Sequence, residues 1–361
     1  MSEPTLTRRD CLRQGTGALV VAGLAAAGGW WLHNRAERRR GVPLRREVYI
    51  PDYFADVAEP ARGPCLSVAA GESAIEQLVR VAVAGLDPQR GMRRFIQSDD
   101  VVLIKPNAGF DRPAHLGATT HPEVLRAVIR LCREAGAARI LVTDNPIESP
   151  AACFARSGIE AVVRAEHARL VWPDADRFEL VATGAALAGS DGAGLPAHWP
   201  VLYEPLAAAT KLIGVAPIKD HNLAGGSMLL KNWYGLLGGR RNQFHQAIQQ
   251  TIGDLGALFS PTLVIADGTR VMLRSGPTGG RTSDVRPGGR WGRPVIVAAT
   301  DPLACDSWCY ENLLGRDPAD LTCLERAARH IRSQVAAGRQ RLGQPDWRQY
   351  ERQGRLVVNS V

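Results

Sequence analysis

The sequence predicts an α/β protein, with a mostly parallel sheet or sheets, flanking helices, and either one large unit or two lobes with the site between them. Three observations support this. Short apolar runs rich in β-branched residues (VVLIK, ARILVTD, KLIGVAPIK, PTLVIADG and PVIVAATD) end in polar or charged residues, as buried strands do. PEVLRAVIRLCREAG has apolar residues at helical spacing, opens on Pro122 and stops at Gly136, and separates the first two runs as the crossover of a right-handed βαβ unit would. With 361 residues, 45% apolar and 22% charged, the chain can bury a large core.

Residues 1–34 read as a targeting segment. TRRDCLR (Thr7 to Arg13) places two adjacent arginines before the weakly apolar run Gly15 to Leu32, the pattern of a twin-arginine export signal, with Cys11 where Phe is common. Ala25-Ala26-Ala27 offers a cleavage site. Trp30 and Trp31, followed by Arg35 and Arg38 to Arg40, suit an uncleaved membrane anchor, so cleavage and anchoring stand as alternatives. The expected location is periplasmic or otherwise extracytoplasmic, with the twin-arginine translocase as a partner during export. Residues 35–64 follow as a linker with some extended character in REVYI, and ESAIEQLVRVAVAGL is the first helix of an α/β domain spanning 65–315. ATGAALAGSDGAGLPAHWP marks a lobe junction near 182–200, and RSGPTGGRTSDVRPGGRWGRP is long enough to be a lid. Residues 316–361, rich in Arg and Gln, read as a tail of one or two surface helices.

The net charge of +8 is concentrated at the N-terminus. Residues 1–46 hold nine arginines against Glu3, Asp10 and Glu37, which accounts for six charges and leaves the body near +2. No basic helix interleaved with aromatics appears in the body, so nucleic acid is not an expected partner. The seven cysteines contain no CxxC pair and no ferredoxin-like run, which excludes an iron–sulfur motif in this chain. Cys305 and Cys309, one helical turn apart, are expected to be core residues.

Of 44 basic residues only Lys105, Lys211, Lys219 and Lys231 are lysines. Arginine remains protonated at any working pH, whereas lysine can lose its proton and act as a nucleophile. Lysines held back from the surface therefore mark candidate chemistry, and Lys219 and Lys231 fall within one stretch, KDHNLAGGSMLLKN. In it, His221 would transfer protons near neutral pH, Gly225 and Gly226 would let backbone approach a ligand, and Ser227 offers a hydroxyl. Ligands bind beyond the carboxyl ends of parallel strands, where Lys105, Asp144, Lys219, Asp267 and Asp301 would form one rim. Lys219 and Lys231 around one pocket, with Lys105 at a neighbouring strand end, suit a small anionic ligand such as a phosphate or carboxylate. Asn107, Asn232, Asp267 and Asp306 would orient these groups or hold a metal such as Mg2+.

The strings LIKPNAGF, TTHPEVLRAV, LVTDN, VAPIKDHNLAGGSMLLKNWYGLLGG, FHQAI, VIADGTRVMLRSGPTGG and DPLACD together resemble the domain-of-unknown-function 362 family over about residues 100 to 315. Some members carry a ferredoxin-like module, which this chain lacks. A weaker resemblance is to the nickel-pincer lactate racemases, where a histidine is followed ten positions later by a lysine with an Ala-Gly-x-Ser step between. His221, Ala224-Gly225-Gly226-Ser227 and Lys231 match that pattern. The resemblance implies an acid/base role for His221, a covalently held nickel-pincer nucleotide on Lys231, and His245 as a near match for a nickel ligand. Thr143-Asp144-Asn145 stands where the racemases carry their other acid/base histidine, which would pass that role to Asp144. Met228, Leu229 and Leu230 replace the racemases' glycines and arginine.

Two functions follow as expectations. One is an exported enzyme dependent on a cofactor or metal, moving a proton or hydride on a small anionic substrate. The other is a non-catalytic periplasmic protein that presents an anionic ligand to a membrane or redox partner.

Overall fold

The structure is a computed structural model and describes residues 47–55, 57, 63–183 and 194–361. The segment read as a targeting signal, with its paired arginines, lies outside the described residues. So do most of the linker and the Gly/Ala-rich part of the expected lobe junction. No described helix is long and apolar enough to cross a membrane.

Twelve strands form in chain order: β1 (Leu66–Ala70), β2 (Val101–Lys105), β3 (Arg139–Val142), β4 (Arg169–Leu170), β5 (Phe178–Ala182), β6 (His198–Leu202), β7 (Lys211–His221), β8 (Gly225–Ser227), β9 (Leu263–Met272), β10 (Val285–Arg286), β11 (Val295–Ala299) and β12 (Leu356–Ser360). Ten belong to one sheet, whose main path runs β12-β1-β11-β9-β7-β2-β3-β4, with β10 added on β9 and β8 on β7; β5 and β6 form a separate pair. Along the main path only β11 runs against the others. The mostly parallel sheet is therefore as expected. The two-lobe alternative is not seen, because Val48–Val361 forms one compact unit around this sheet.

Alternation along the strands divides the core into two layers. Val102 and Ile104 of β2, with Ile213 and Val215 of β7, pack beneath the Pro122–Ala135 helix. Leu103, Leu212, Ala216 and Ile218 pack on the opposite face with the Ile248–Leu258, Pro302–Asn312 and Thr322–Ala336 helices. The Pro122–Ala135 helix connects β2 to β3 on one face, and the Ile248–Leu258 helix lies between β7 and β9 on the other. Right-handed crossovers leaving adjacent strands in opposite directions must use opposite faces. The chain therefore parts between β2 and β7, which opens a crevice at their carboxyl ends.

Three expectations are corrected. The linker is anchored at its C-terminal part, where Tyr53 is 2% exposed and donates its hydroxyl to the Leu206 carbonyl at 2.8 Å. The tail is more than helix: after the amphipathic Thr322–Ala336 helix it returns as β12, parallel to β1. Asp301 leaves the rim because β11 is antiparallel to β9, so its C-terminal residue Ala299 pairs with Val264 near the start of β9. Asp301 instead caps the Pro302–Asn312 helix through the Leu303 and Ala304 N–H groups.

Candidate functional site

A cavity of about 60 Å³, or about 520 Å³ of atom-free space with its open mouth included, lies in that crevice. Its lining includes Lys105, Asn107, Asp144, Lys219, Ser227, Lys231, Asn232 and His245, all singled out from sequence. Phe110, Tyr234, Gly235 and Arg241 also line it, and sequence reading missed them.

Its floor is a buried ion pair. Lys105 Nζ lies 2.8 Å from Asp144 Oδ1 and donates to Asn232 Oδ1 at 2.7 Å and the Pro106 carbonyl at 2.9 Å. All three of its protons are thus engaged. Burial lowers the pKa of Lys105, and the Asp144 charge opposes that shift. Asp144 accepts in addition from the Asn145 and Ala108 backbone N–H groups, at 2.9 and 2.6 Å. With both oxygens engaged it is a positioning residue, not the free base expected from its place after β3. Asn232 connects this floor to the sheet by donating to the Lys105 carbonyl at 3.2 Å while accepting from Asn107 Nδ2 at 3.2 Å.

Lys231 rides on the short Leu229–Asn232 turn, which is fixed from two directions. Asp306, on the Pro302–Asn312 helix, accepts from the Leu229 and Leu230 N–H groups, each at 2.9 Å. Trp233 stacks on Phe259 with ring centroids 5.1 Å apart, in space left by Gly214, where a Cβ would meet the indole at 2.9 Å. Among the described residues Lys231 Nζ has no hydrogen-bond or ion-pair partner; it lies 5.2 Å from the Tyr234 ring centroid. Burial first, then Arg241 and Lys105, pushes this amine down to about 8.

Lys219 is 1% exposed, donates to the Ala118 carbonyl and sits 4.9 Å above the Phe110 ring, with no carboxylate partner among the described residues. Burial, reinforced by Lys231, holds it well below the ordinary lysine value. Arg241 donates to four backbone carbonyls, those of Tyr234, Leu237, Asn145 and Pro146, and no described carboxylate pairs with it. Asp144, the only carboxylate in the lining, is committed to Lys105. The cavity is therefore cationic, and Ser227 Oγ adds a donor with no partner among the described residues.

His221 departs from expectation. It is 3% exposed, and its Nδ1 accepts the Leu223 and Ala224 N–H groups at 3.1 and 3.2 Å. Burial, with Lys231, Lys219 and His245 adding repulsion, drives it down to about 3. It is a neutral imidazole whose remaining nitrogen, Nε2, carries the proton, and its one lone pair is taken by two backbone N–H groups, so it is not the base expected near neutral pH. It stacks on His245 at 6.5 Å. His245 lines the cavity itself, and its Nδ1 lies 3.1 Å from the Asn242 carbonyl. A carbonyl only accepts, so Nδ1 holds the proton and Nε2 keeps its lone pair.

The glycine pair and two carboxylates are also reassigned. Gly225 and Gly226 form the β7–β8 hairpin and admit Tyr310, whose hydroxyl a Cβ on Gly225 would meet at 2.8 Å; they do not line the cavity. Asp267 accepts from the His121 N–H at 2.7 Å and from Thr269, and Asp306 holds the Lys231 turn, where burial raises its carboxyl to about 7. His245, Asp267 and Asp306 do not form a ligand set, and no group of three or more His, Cys, Asp or Glu residues suited to a metal occurs among the described residues.

The crevice, its lysine- and arginine-bearing lining and the paired Lys105–Asp144 floor define the class as an α/β protein with a polar cavity at the carboxyl ends of its parallel strands. The family described as Domain of unknown function (DUF362) matches residues 102–311, more than half of the chain, and the chain belongs to that family. No curated protein matches the sequence. Among solved structures, the chain is distantly similar to the lactate racemase apoprotein from Thermoanaerobacterium thermosaccharolyticum, at 15% identity and a TM-score of 0.32. The alignment covers 65% of this chain and 56% of that one, so this chain spans little more than half of its length.

Proposed function

We propose that this protein binds a small carboxylate- or phosphate-bearing molecule in the cavity and that the Lys231 amine acts on it, making the protein an enzyme for a small anionic substrate. The observation that carries this is the pairing pattern. Lys219, Lys231 and Arg241 face one cavity without a carboxylate partner among the described residues, while the one carboxylate there is already taken by Lys105. An anion would supply the missing countercharge. An amine that titrates near 8 exists in both protonation states at working pH, as acid/base catalysis requires.

The nickel-pincer nucleotide implied by the racemase resemblance would find an amine at Lys231 and a free imidazole nitrogen at His245. A mononucleotide exceeds the enclosed part of the cavity, about 60 Å³, and would have to extend through the open mouth, which brings the atom-free space to about 520 Å³. The chemistry proposed for this protein rests on the chain's own side chains. A non-catalytic binding protein is the second reading, favoured by the committed state of His221 and Asp144, the two acid/base residues expected from sequence. Export through the twin-arginine route completes the proposal. Cell fractionation of wild type beside an Arg8→Lys, Arg9→Lys double variant would show the variant retained in the cytoplasm, and identical distribution would refute it.

Calorimetric titration with phosphate and with pyruvate at low salt tests the pocket. Wild type should bind, and Lys219→Met and Lys231→Met should each bind about tenfold or more weakly, as expected for a lost charge-assisted contact. Equal affinity in all three proteins, or no binding of small anions by wild type, would overturn the reading.

A further inference from the structure

We propose that Lys231 condenses with the carbonyl carbon of a small 2-oxo acid to form an imine, with the acid's carboxylate held by Lys219 and Ser227. This deepens the anion-pocket reading and rests on it.

The four lysines are not equivalent as nucleophiles. Lys105 has all three protons engaged by Asp144, Asn232 and Pro106. Lys211 begins β7, away from the cavity lining. Lys219 is tied to the Ala118 carbonyl and the Phe110 ring, and a carboxylate bound beside it would favour its protonated form, which has two further N–H groups to donate. Lys231 alone presents an amine to the cavity with no hydrogen bond or ion pair among the described residues. Imine formation needs the neutral amine, and burial beside other cations supplies it without a dedicated base.

The cavity also sets the kind of carbonyl compound. Anion-binding groups and the amine share about 60 Å³, so the carboxylate and the reacting carbonyl must be close neighbours in one short molecule. A 2-oxo acid has the two on adjacent carbons. The Phe110 and Tyr234 rings give the remaining carbons an apolar wall.

The step balances without an oxidant or reductant. The Lys231 nitrogen lone pair attacks the carbonyl carbon, a C–N bond forms, and the carbonyl π electrons move to oxygen, which takes up a proton. The nitrogen loses two protons in all, and the former carbonyl oxygen departs as water. His245 Nε2, the free lone pair on the cavity wall, can accept the first proton from nitrogen and return it to the departing oxygen.

The experiment treats the full chain with pyruvate and cyanoborohydride, then measures intact mass and maps peptides. The expected result is one adduct, with the mass of pyruvic acid less one oxygen atom, on Lys231. Labelling by acetone, which lacks the carboxylate, should be about tenfold weaker or less, the cost of a missing charge-assisted contact. Lys231→Arg should abolish the adduct while keeping the charge; mapping of wild type decides the matter even if that variant folds poorly. Adducts spread over the amino terminus and other lysines, or equal labelling by acetone, would overturn the proposal. So would no adduct when calorimetry shows pyruvate bound, and the anion pocket would then stand alone. No adduct together with no binding of pyruvate or phosphate would overturn both.

Discussion

Gly235 is the point at which one methyl group should have the largest effect. A Cβ built there would lie 1.9 Å from Asp144 Oδ1, 2.5 Å from Lys105 Nζ and 2.9 Å from Lys105 Cε. Contacts this short require movement, and the atoms that must move are the two halves of a buried ion pair, each 1–2% exposed. Breaking a buried pair costs on the order of 3 kcal/mol because each charge is left desolvated without its partner. For 361 residues, at about 2.1 cal/mol/K of unfolding entropy per residue, that corresponds to a fall in Tm of roughly 4 °C. Gly280→Ala is the control, since nothing lies within 4 Å of its added Cβ, and neither glycine needs a positive φ. Differential scanning calorimetry of wild type, Gly235→Ala and Gly280→Ala should show the loss in the first variant only. A Gly235→Ala protein melting within about 1 °C of wild type, a difference below about 1 kcal/mol, would show that the pair is not held where the structure puts it.

Other predictions follow from the same groups. Lys231 should react with a small acylating reagent at half its limiting rate near pH 8, read by peptide mapping, and phosphate should shift that midpoint upward. Asp306 has a folded pKa raised to about 7, so the folded state binds more protons than the unfolded one between about pH 4 and pH 7. Its contribution to stability is therefore fully present below pH 4 and lost as pH rises through 7; Asp306→Asn should flatten that part of the denaturation-midpoint profile. His221 should remain a single neutral tautomer with unprotonated Nδ1 from pH 5 to pH 8 by nitrogen NMR, and appearance of an imidazolium in that range would refute its assigned environment. Because affinity for an anion depends partly on protonated Lys231, phosphate binding should weaken as pH passes 8.

Much of the pocket was legible because the lysines are scarce. Lys105, Lys219 and Lys231 stood out against 40 arginines, and strand ends identified Asn107 and Asp144 as their neighbours. For the same reason Arg241 was invisible: one arginine among 40 carries no signal, although its place just beyond the NWYGLLGG segment of the family match could have suggested it. Gly225 and Gly226 were misassigned because a glycine pair serves a tight hairpin as well as a ligand, and only the position of Tyr310 separates the two. Buried carboxylates posed a similar difficulty. Asp267 and Asp306 bind backbone N–H groups, and no sequence pattern distinguishes that from binding a cation. The reversal of β11 was also unreadable, since PVIVAATD has the same composition whichever way the strand runs, and it is pairing with β9 that removes Asp301 from the rim. The fold class survived these errors because it rests on alternating apolar periods, which do not depend on strand direction.

The Asp306 clamp on the Lys231 turn has a temporal consequence. The groups that build the pocket are far apart in the chain: Lys105 meets Asn232 across 127 positions, and Asp306 reaches back 77 positions to Leu229. During synthesis, a nascent chain that has displayed Lys231 still lacks the carboxylate that orients it. The pocket is thus complete only after Asp306 has been synthesised and has folded back onto the Lys231 turn.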